Sequence, residues 1–374
     1  MRVLHVSEVT WGGVVSLLHD FMAEQLNRGH QVSLLAPDTF PEPNPRLPQL
    51  RRTAWSLDRR SPRSYPRALA QLRNTVRRER PDVVHLHSAY AGFLGRLPGM
   101  SGTGGAATVY QPHAWSFDLF TDPRIQQAMV RWERLAGRWT DVLATNCGDE
   151  IDEGRQIGVT TPGHSLGVPL DVQRFQPVDD AERQRQRRSL GLGEAPTLLC
   201  LGRLARQKGQ DLLVAAWEQD PIPGTQLLLV GPGDPEPLRR LAPTQWGTSI
   251  HWRGDQADVR PCLWASDVLV LPSRYETVAV VVVEAMACGR PVVANRVSGV
   301  AMAVADEPPP PGGVVVDSGD MTALLAESAR LLADAELRAQ YGRDGRARVL
   351  SLFTPEQVID RLDEAYESAM RGSR

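Results

Sequence analysis

Short apolar runs rich in β-branched residues alternate along the chain with longer stretches whose apolar residues recur at helical spacing. The alternation runs from residue 2 to residue 145 and starts again at residue 197. Strands that alternate with helices in this way form βαβ units around a parallel sheet. A length of 374 residues also exceeds what one hydrophobic core usually supports. The sequence therefore predicts an α/β protein with two domains.

The apolar runs predict the strands of two Rossmann-like domains. They cover residues 2–7, 31–36, 83–87, 107–110 and 142–145 in the first half, and 197–201, 226–230, 250–252, 268–271, 292–294 and 313–316 in the second. Gly12 and Gly13 follow the first strand and open a helical pattern, an arrangement that directs backbone N–H groups at an anion. A helix with one apolar side is also predicted from Thr354 onward, and it needs a surface to cover.

Charge and composition exclude several classes of protein. The formal net charge of −2 argues against binding nucleic acids through bulk positive charge. The four cysteines lie far apart and form no C-x-x-C pair, which indicates buried thiols in a reducing compartment. The longest apolar run, from Val278 to Val283, is too short to span a bilayer, and no apolar leader precedes the first strand. We therefore expect a cytoplasmic protein.

Lys208 is the only lysine among 42 basic residues. It follows the predicted strand 197–201 and the pair Gly202-Arg203, and it precedes a helical pattern. An ammonium is a compact, strongly hydrated point charge, unlike the planar guanidinium of arginine. A position between a strand and a helix suits a cation that holds a phosphate group. The alternative is an ordinary lysine in a surface loop.

Two carboxylates flank the apolar run that begins at Val278. Glu276 follows the predicted strand 268–271, and Glu284 lies in the first turns of the next predicted helix. We expect both to face the crevice beyond the carboxyl ends of the strands, where open α/β sheets bind ligands. A carboxylate in the apolar setting of Glu284 is costly unless a hydroxyl or a cation satisfies it. The alternative is a pair of surface carboxylates on an ordinary helix.

Nearly the whole chain carries a family resemblance. The second half contains the motifs Gly202-Arg203, Lys208-Gly209, Leu228 to Gly233, Gly254, Pro272-Ser273, Glu276 to Glu284 and Ala285 to Val293. In their order and spacing, these motifs resemble the donor domain of family-4 retaining glycosyltransferases of the GT-B fold. The first half is similar through Gly12-Gly13, Val83 to His87 and Pro112-His113. Within the family, the chain is most similar to bacterial members that build exopolysaccharide or capsule.

This resemblance implies a GT-B fold, in which two Rossmann-like domains face a central cleft and a C-terminal helix crosses back to the first domain. The implied domains are residues 1–168, which bind the acceptor, residues 169–353, which bind the donor, and the helix 354–374. The implied enzyme moves a sugar, with retention, from a nucleotide-diphosphate sugar to the hydroxyl of a glycan, glycolipid or small molecule, and a UDP-sugar is favoured. The resemblance implies that no metal and no other cofactor are needed, and the absence of a D-x-D pair from the chain agrees with this habit of GT-B enzymes.

The resemblance also assigns residues to the donor site. Arg203 and Lys208 would hold the diphosphate, Glu276 would bind hydroxyls of the transferred sugar, and Glu284 would bind the ribose. The other implied donor-binding positions are Gly12, Gly13, Gly202, Gly231, Arg253, Gly254, Asp255, Thr277, Val278, Ala279 and Val280. The family commonly has glycines just after the first glutamate, where this chain has Thr277 and Ala279.

His113 follows the predicted strand 107–110 and corresponds to a family histidine that orients the transferred sugar. With Arg203, Lys208 and Glu276 it completes the implied catalytic group, although a purely structural histidine is the alternative. The acceptor-side candidates are Trp11, His87 and Trp115, and core packing is the alternative for the two tryptophans.

His85 and His87 lie on either side of Leu86 and are both of a metal-ligand type. We expect the two side chains to point to opposite faces of a strand and therefore not to share a metal.

The segment from Arg51 to Arg80 holds ten arginines against Asp58 and Glu79. A solvated face is one interpretation. The other is contact with anionic lipid at the inner face of a membrane, through arginines at helical spacing, which would suit a lipid-linked acceptor. No nucleic-acid partner is expected.

Other functions compete with a transferase that assembles a polysaccharide. A transferase for a soluble small-molecule or natural-product acceptor would need no membrane contact. A non-catalytic nucleotide-sugar-binding protein would keep the donor site without turnover. An epimerase or hydrolase of the same fold would need a second acid–base group beside His113, and the sequence shows none.

Overall fold

The computed structural model describes residues 1–41, 50–100, 103–276, 279–306 and 308–372. The chain divides into two compact units, which are Met1–Pro169 with Pro355–Arg374, and Leu170–Thr354. The predicted boundaries, after residues 168 and 353, lie within one residue of this division. Each unit contains one parallel sheet with helices, which confirms the predicted α/β architecture.

The first unit is built on seven strands. They are β1 (Arg2–Ser7), β2 (Gln31–Ala36), β3 (Arg51–Ala54), β4 (Val83–His87), β5 (Ala107–Gln111), β6 (Val142–Thr145) and β7 (Gly163–Ser165). The spatial order is β3-β2-β1-β4-β5-β6-β7, and all neighbours are parallel. The helices that connect the strands are α1 (Gly13–Asn27), α2 (Tyr65–Glu79), α3 (Ser88–Gly95), α4 (Pro123–Ala136) and α5 (Gly148–Gln156).

Two edge strands, β3 and β7, were not predicted. Strand β3 reads Arg-Arg-Thr-Ala and β7 reads Gly-His-Ser, and neither has a buried residue. The inner strands β4, β5 and β6 are buried along their whole length, as expected for a parallel sheet covered on both faces. Apolar runs therefore predict the inner strands but not the polar strands at the edges.

The second unit begins with α6 (Asp180–Ser189) and has six strands. They are β8 (Thr197–Leu201), β9 (Gln226–Val230), β10 (Ile250–Trp252), β11 (Val268–Leu271), β12 (Val292–Asn295) and β13 (Gly313–Val316). The order is β10-β9-β8-β11-β12-β13, again parallel throughout. The remaining helices are α7 (Gln210–Gln219), α8 (Glu236–Leu241), α9 (Arg260–Ala265), α10 (Val280–Ala287), α11 (Val300–Val304), α12 (Met321–Ala333) and α13 (Ala335–Leu352).

The last helix, α14 (Pro355–Gly372), returns to the first unit. It packs on α1 and on strands β5, β6 and β7. Its apolar side is fully buried and consists of Val358, Ile359, Leu362, Ala365, Tyr366 and Ala369. The prediction that a C-terminal helix crosses back to the first domain is confirmed.

All four cysteines are buried and no disulfide joins them. Burial raises the pKa of the Cys262 thiol to about 11, so this thiol stays protonated at neutral pH. Within the described ranges, no helix is both long and apolar enough to cross a membrane.

Candidate active site

The loop after β8 carries Lys208 at the carboxyl end of the second sheet. Residues Arg206–Lys208 form a single 3₁₀ turn that leads into α7. Gly209 joins the turn to the helix with φ +69°, and a Cβ atom there would lie 2.0 Å from the carbonyl oxygen of Pro272. Only glycine permits this approach. The loop after β8 is thereby held against the loop after β11.

Lys208 and Glu276 meet where these two loops touch. Lys208 Nζ donates to Glu276 Oε1 at 2.8 Å and to Oε2 at 3.0 Å. The hydroxyl of Ser273 donates to the same Oε1 at 2.6 Å. The Glu276 side chain is 4% exposed and the Lys208 side chain 19%. The structure therefore brings two of the predicted catalytic residues into one largely buried ion pair.

This arrangement leaves one N–H donor of Lys208 for an anion. An ammonium has three N–H donors, and Glu276 takes two of those of Lys208. Arg203 lies on the same loop and is exposed to solvent. A guanidinium matches a phosphate through parallel hydrogen bonds. The loop can thus present a guanidinium and part of an ammonium to one ligand.

Three glycines bring the loops after β8, β9 and β10 together. The Gly231 N–H donates to the Gly254 carbonyl at 2.7 Å. Gly231 has φ +142°, and a Cβ atom there would lie 2.2 Å from the carbonyl oxygen of Gly202. These glycines form a closely packed stretch of backbone at the carboxyl ends of the strands, where sheets of this class bind ligands.

The side chain of Arg253 is held by hydrogen bonds within the second unit. Its guanidinium donates twice to the carbonyl oxygen of Leu190, from Nε at 3.2 Å and from Nη2 at 2.8 Å. The neighbouring Asp255 is exposed. The Arg253 guanidinium is thus held by Leu190, and the backbone of residue 253 is the part of this residue left to contact a nucleotide.

Glu284 lies in the last turns of α10 with an unusually basic carboxylate. Burial raises its pKa from 4.5 to about 7, Arg174 opposes this rise and Asp258 adds to it. A carboxyl group with this pKa changes charge near neutral pH. It can accept two hydrogen bonds from a diol when ionised.

Residues 280–283 of the apolar run lie in a helix and not in a strand, because α10 begins at Val280. Val280 is 37% exposed, whereas Ala279 is buried. The predicted donor-binding residues Thr277 and Val278 lie outside the described residues.

In the first unit, His113 has a strained backbone and a buried ring. Its φ is +58°, in the left-handed region that residues other than glycine rarely adopt. The residue is 7% exposed, and its Nε2 lies 3.0 Å from Nδ1 of His87. Burial lowers the pKa of His113 to about 3. The ring is therefore neutral at physiological pH, and strained residues of this kind cluster at functional sites.

The expectation that His85 and His87 face opposite sides of the strand is wrong. Their ring centroids are 3.9 Å apart, because side chains two positions apart in a strand share one face. His5 on β1 is in register with His85. The three rings bring nitrogen atoms within 4.8 Å of one another, a grouping of the kind that can hold a metal ion.

Two acceptor-side candidates are buried in the first unit. His87 is fully buried, and Trp115 is 1% exposed with its indole N–H donating to the Glu150 carbonyl at 2.9 Å. The core-packing alternative is correct for Trp115. Trp11, by contrast, is 67% exposed beside the exposed Gly12 and Gly13 at the start of α1.

Several polar residues of both sites were assigned no role from the sequence. They are Ser273, which holds Glu276, and the buried residues His5, Gln25, Asn146 and Tyr366, which connect to the histidines of the first unit. The pairings of β1 with β4 and of β5 with β6, and the packing of α14 on α1, bring the second group together, and no local pattern encodes these contacts.

Family models match both halves of the chain. The model described as "Glycosyltransferase Family 4" matches residues 11–165, and the one described as "Glycosyl transferases group 1" matches residues 195–334. The second match includes the Lys208 loop and both glutamates of the donor-site prediction.

Two curated relatives are glycosyltransferases by name. D-inositol 3-phosphate glycosyltransferase 1 of Catenulispora acidiphila is 32% identical over 317 residues, covering 78% of this chain and 73% of the relative. A GDP-mannose-dependent alpha-(1-6)-phosphatidylinositol monomannoside mannosyltransferase of Mycolicibacterium smegmatis is 38% identical over 191 residues. That second match covers 47% of this chain and spans about half, 49%, of the relative.

Solved structures share the fold. HepE of Anabaena, in complex with UDP and glucose, superimposes with a TM-score of 0.78 at 19% identity. The match covers 98% of this chain and 100% of that one.

Proposed function

Since the chain belongs to glycosyltransferase family 4 and has the GT-B fold, we propose that it transfers a sugar from a UDP-sugar to an acceptor hydroxyl. The transfer proceeds with retention at the anomeric carbon and without a metal ion. The acceptor is an intermediate in bacterial exopolysaccharide or glycolipid assembly.

The observation that carries this proposal is the cationic loop after β8, with Lys208 paired to Glu276. When the bond between the sugar and the diphosphate breaks, negative charge grows on the leaving phosphate oxygen. Fixed cations in a poorly solvated site stabilise that charge. Lys208, held in place by Glu276, supplies one such cation, and the exposed Arg203 on the same loop supplies a second positive charge, which together take the role that a divalent metal fills in other transferases.

The remaining donor contacts follow from the same edge of the sheet. Glu276, which pairs with Lys208, binds hydroxyls of the transferred sugar, whereas Glu284 accepts hydrogen bonds from the ribose. The backbone near Arg253 and Gly254 forms the wall for the base. The complex of HepE with UDP and glucose supports a UDP-sugar donor. The names of other relatives specify GDP-mannose, so the test compares donors with different nucleotide bases.

For the acceptor, the first unit offers an apolar groove. It has a volume of about 190 Å³ and an almost wholly apolar lining that includes Tyr65, Tyr90, Phe93, Phe120 and Trp132. Tyr65 opens α2, which exposes Arg67, Arg73 and Arg77. An aromatic groove beside exposed arginines suits an acceptor with an apolar chain and an anionic group. The relative that acts on a phosphatidylinositol monomannoside supports this class.

A panel of donors tests the proposal. Binding and hydrolysis of UDP-, GDP- and ADP-sugars are measured with EDTA-treated protein, and the anomeric configuration of any product is read by NMR. We expect a UDP-sugar to bind and turn over with EDTA present, with retained configuration. Failure of every donor to bind contradicts the proposal. Binding without turnover on any acceptor supports the non-catalytic alternative instead.

A further inference from the structure

A chain of side-chain hydrogen bonds crosses the interior of the first unit. Starting at His113, Nε2 lies 3.0 Å from Nδ1 of His87, whose Nε2 lies 2.9 Å from Nδ1 of His5. His5 Nε2 lies 2.8 Å from Oε1 of Gln25. Beyond this point, Gln25 Nε2 donates to the hydroxyl of Tyr366 at 3.2 Å. The chain thus links the predicted sugar-orienting histidine to the terminal helix α14.

The donors and acceptors of this chain determine one another. A neutral imidazole has one N–H donor and one acceptor nitrogen. Because Gln25 Oε1 can only accept, His5 must donate from Nε2, and its Nδ1 accepts. His87 then donates from Nε2 and accepts at Nδ1. The ring of His113 is left with its proton on Nε2.

The other nitrogen of His113 is the open end of the chain. His113 Nδ1 lies 3.5 Å from Nδ2 of Asn146, a longer contact than the 2.8–3.2 Å links between the members. The carbonyl oxygen of Asn146 is occupied, since Gln111 donates to it at 2.9 Å. The Asn146 amide therefore turns its N–H₂ group to His113, which agrees with an acceptor at Nδ1.

Burial separates this end from the rest. His5, Gln25, His87 and Tyr366 are fully buried, whereas Asn146 is 4% exposed and His113 is 7% exposed. Burial also lowers the pKa of His113 to about 3 and that of His5 to about 4. The series of hydrogen-bonded side chains is therefore neutral and reaches solvent only beside His113.

We propose that His87, His5 and Gln25 are positioning residues that lock His113 in the Nε2–H tautomer, so that its Nδ1 is a neutral acceptor for a ligand hydroxyl. The hydroxyl replaces the long contact from Asn146. This inference rests on the proposed function, because it takes the sugar as the source of that hydroxyl. The role assigned to His113 is to accept a hydrogen bond at Nδ1 and so to orient the hydroxyl.

A bound metal ion is the competing explanation of the cluster. His5, His85 and His87 have nitrogen atoms within 4.8 Å of one another. A metal would need lone pairs that the 2.9 Å contact between His5 and His87 uses for hydrogen bonding. Metal binding and the tautomer lock are therefore mutually exclusive, and one spectrum distinguishes them.

Long-range ¹H–¹⁵N NMR of histidine-labelled protein identifies the protonated ring nitrogen of each histidine. The chain has eight histidines, and His19, His30, His164 and His251 lie outside the cluster and serve as internal references. We expect His113, His87 and His5 to carry their protons on Nε2 from pH 6 to pH 8. A proton on Nδ1 of His113, a mixture of tautomers, or a stoichiometric metal ion with metal-shifted resonances overturns the proposal.

Substitutions at Gln25 test the lock three links away from His113. Gln25→Met keeps the size but removes the acceptor, and we expect mixed tautomers at His113 with a kcat about tenfold lower, the effect of one lost hydrogen bond. Gln25→Glu retains an acceptor oxygen and should restore the Nε2–H tautomer. Val76→Ala truncates a buried side chain on α2 that takes no part in these hydrogen bonds, and it controls for lost stability alone.

The outcomes remain distinguishable from failure of the proposed function. If Gln25→Met changes neither the tautomer nor kcat, or acts only as Val76→Ala does, the lock is wrong while donor binding stands. If the wild-type protein binds no nucleotide sugar, the proposed function is wrong. The assignment of a sugar hydroxyl as the ligand of His113 is then wrong as well. If Gln25→Met does not fold, the tautomer in the wild-type spectrum decides by itself.

Discussion

Lys208 and Glu276, 68 positions apart in the chain, form an ion pair in which both carboxylate oxygens lie within 3.0 Å of the ammonium. Both side chains are largely buried, so the pair is only weakly screened by water. A diphosphate that approaches this loop therefore competes with Glu276 for the ammonium. The lysine is held in place before the donor arrives, and the carboxylate sets how much of its charge the donor receives.

Lys208→Ala should lower turnover about a hundredfold or more, the usual effect of removing one group that stabilises developing charge. Lys208→Arg should recover only part of this loss, because a planar guanidinium cannot occupy the position of an ammonium between two loops. Steady-state kinetics with the best donor of the panel measures both effects. Arg343→Ala, at an exposed arginine on α13, is the matched control and should be neutral. Unchanged turnover and donor affinity in Lys208→Ala would remove Lys208 from the site.

Glu276→Gln should separate binding of the nucleotide from transfer of the sugar. Without the negative charge, Lys208 is free to pair with a phosphate, so we expect UDP to bind several-fold more tightly. Turnover should fall, because the carboxylate no longer binds the sugar hydroxyls. Calorimetric titration with UDP and kinetics with the UDP-sugar measure the two effects.

A double-mutant cycle with Lys208→Ala should give a coupling energy on the order of 1–3 kcal/mol for UDP binding, as for directly paired groups. Additive effects would mean that the two side chains act independently.

The outcome of the sequence predictions differs between local and long-range features. Inner strands and the loop with Lys208 follow from local pattern, because burial on both faces of a parallel sheet demands apolar runs. The pairing of Lys208 with Glu276 could be anticipated only as a shared crevice. The hydrogen bond between His5 and His87 depends on β1 lying beside β4, and the contact with Tyr366 depends on the path of α14. Such contacts between distant segments leave no periodic signal.

Binding of a UDP-sugar should strengthen as the pH rises from 6 to 8, by up to about tenfold. The pKa of Glu284 is about 7, and only the ionised carboxylate makes charge-assisted hydrogen bonds to both ribose hydroxyls. UDP-glucose is a suitable probe because its diphosphate does not titrate in this range. Glu284→Gln should bind weakly with no pH dependence.

The raised pKa of Glu284 also makes the stability of the folded protein depend on pH. Because the folded-state pKa of Glu284 lies above the ordinary value of 4.5, the contribution of this group to the free energy of unfolding is largest below pH 4.5. That contribution is lost as the pH rises through about 7. Thermal unfolding of Glu284→Gln should therefore vary less with pH over this range than that of the wild-type protein. An identical pH profile in the two proteins would contradict the assignment.

Gly231→Ala should destabilise the second unit by about 2–4 kcal/mol, because a Cβ atom at φ +142° would lie 2.2 Å from the Gly202 carbonyl oxygen. A backbone atom cannot move aside as a flexible side chain can. Gly193→Ala is the matched control, since a Cβ atom there meets nothing within 4 Å. Denaturant unfolding followed by circular dichroism measures the difference. Equal stability of the two variants would show that the β8 and β9 loops are not locked by this contact.

Vesicle binding tests whether the arginines of α2 hold the protein to anionic lipid. Arg67, Arg73 and Arg77 are exposed along this helix, and each arginine near an anionic surface contributes about 1 kcal/mol. Replacing all three with glutamine should weaken flotation with phosphatidylglycerol vesicles by roughly a hundredfold, and high salt should do the same to the wild-type protein.

The matched control changes the same amount of charge elsewhere in the first unit, at the exposed Arg124, Arg131 and Arg138. This variant should bind vesicles as the wild-type protein does if α2 is the contact. Equal losses in both triple variants would indicate that net charge alone drives binding. Absence of any salt-sensitive binding by the wild-type protein would leave the arginines as a solvated face and favour a soluble acceptor.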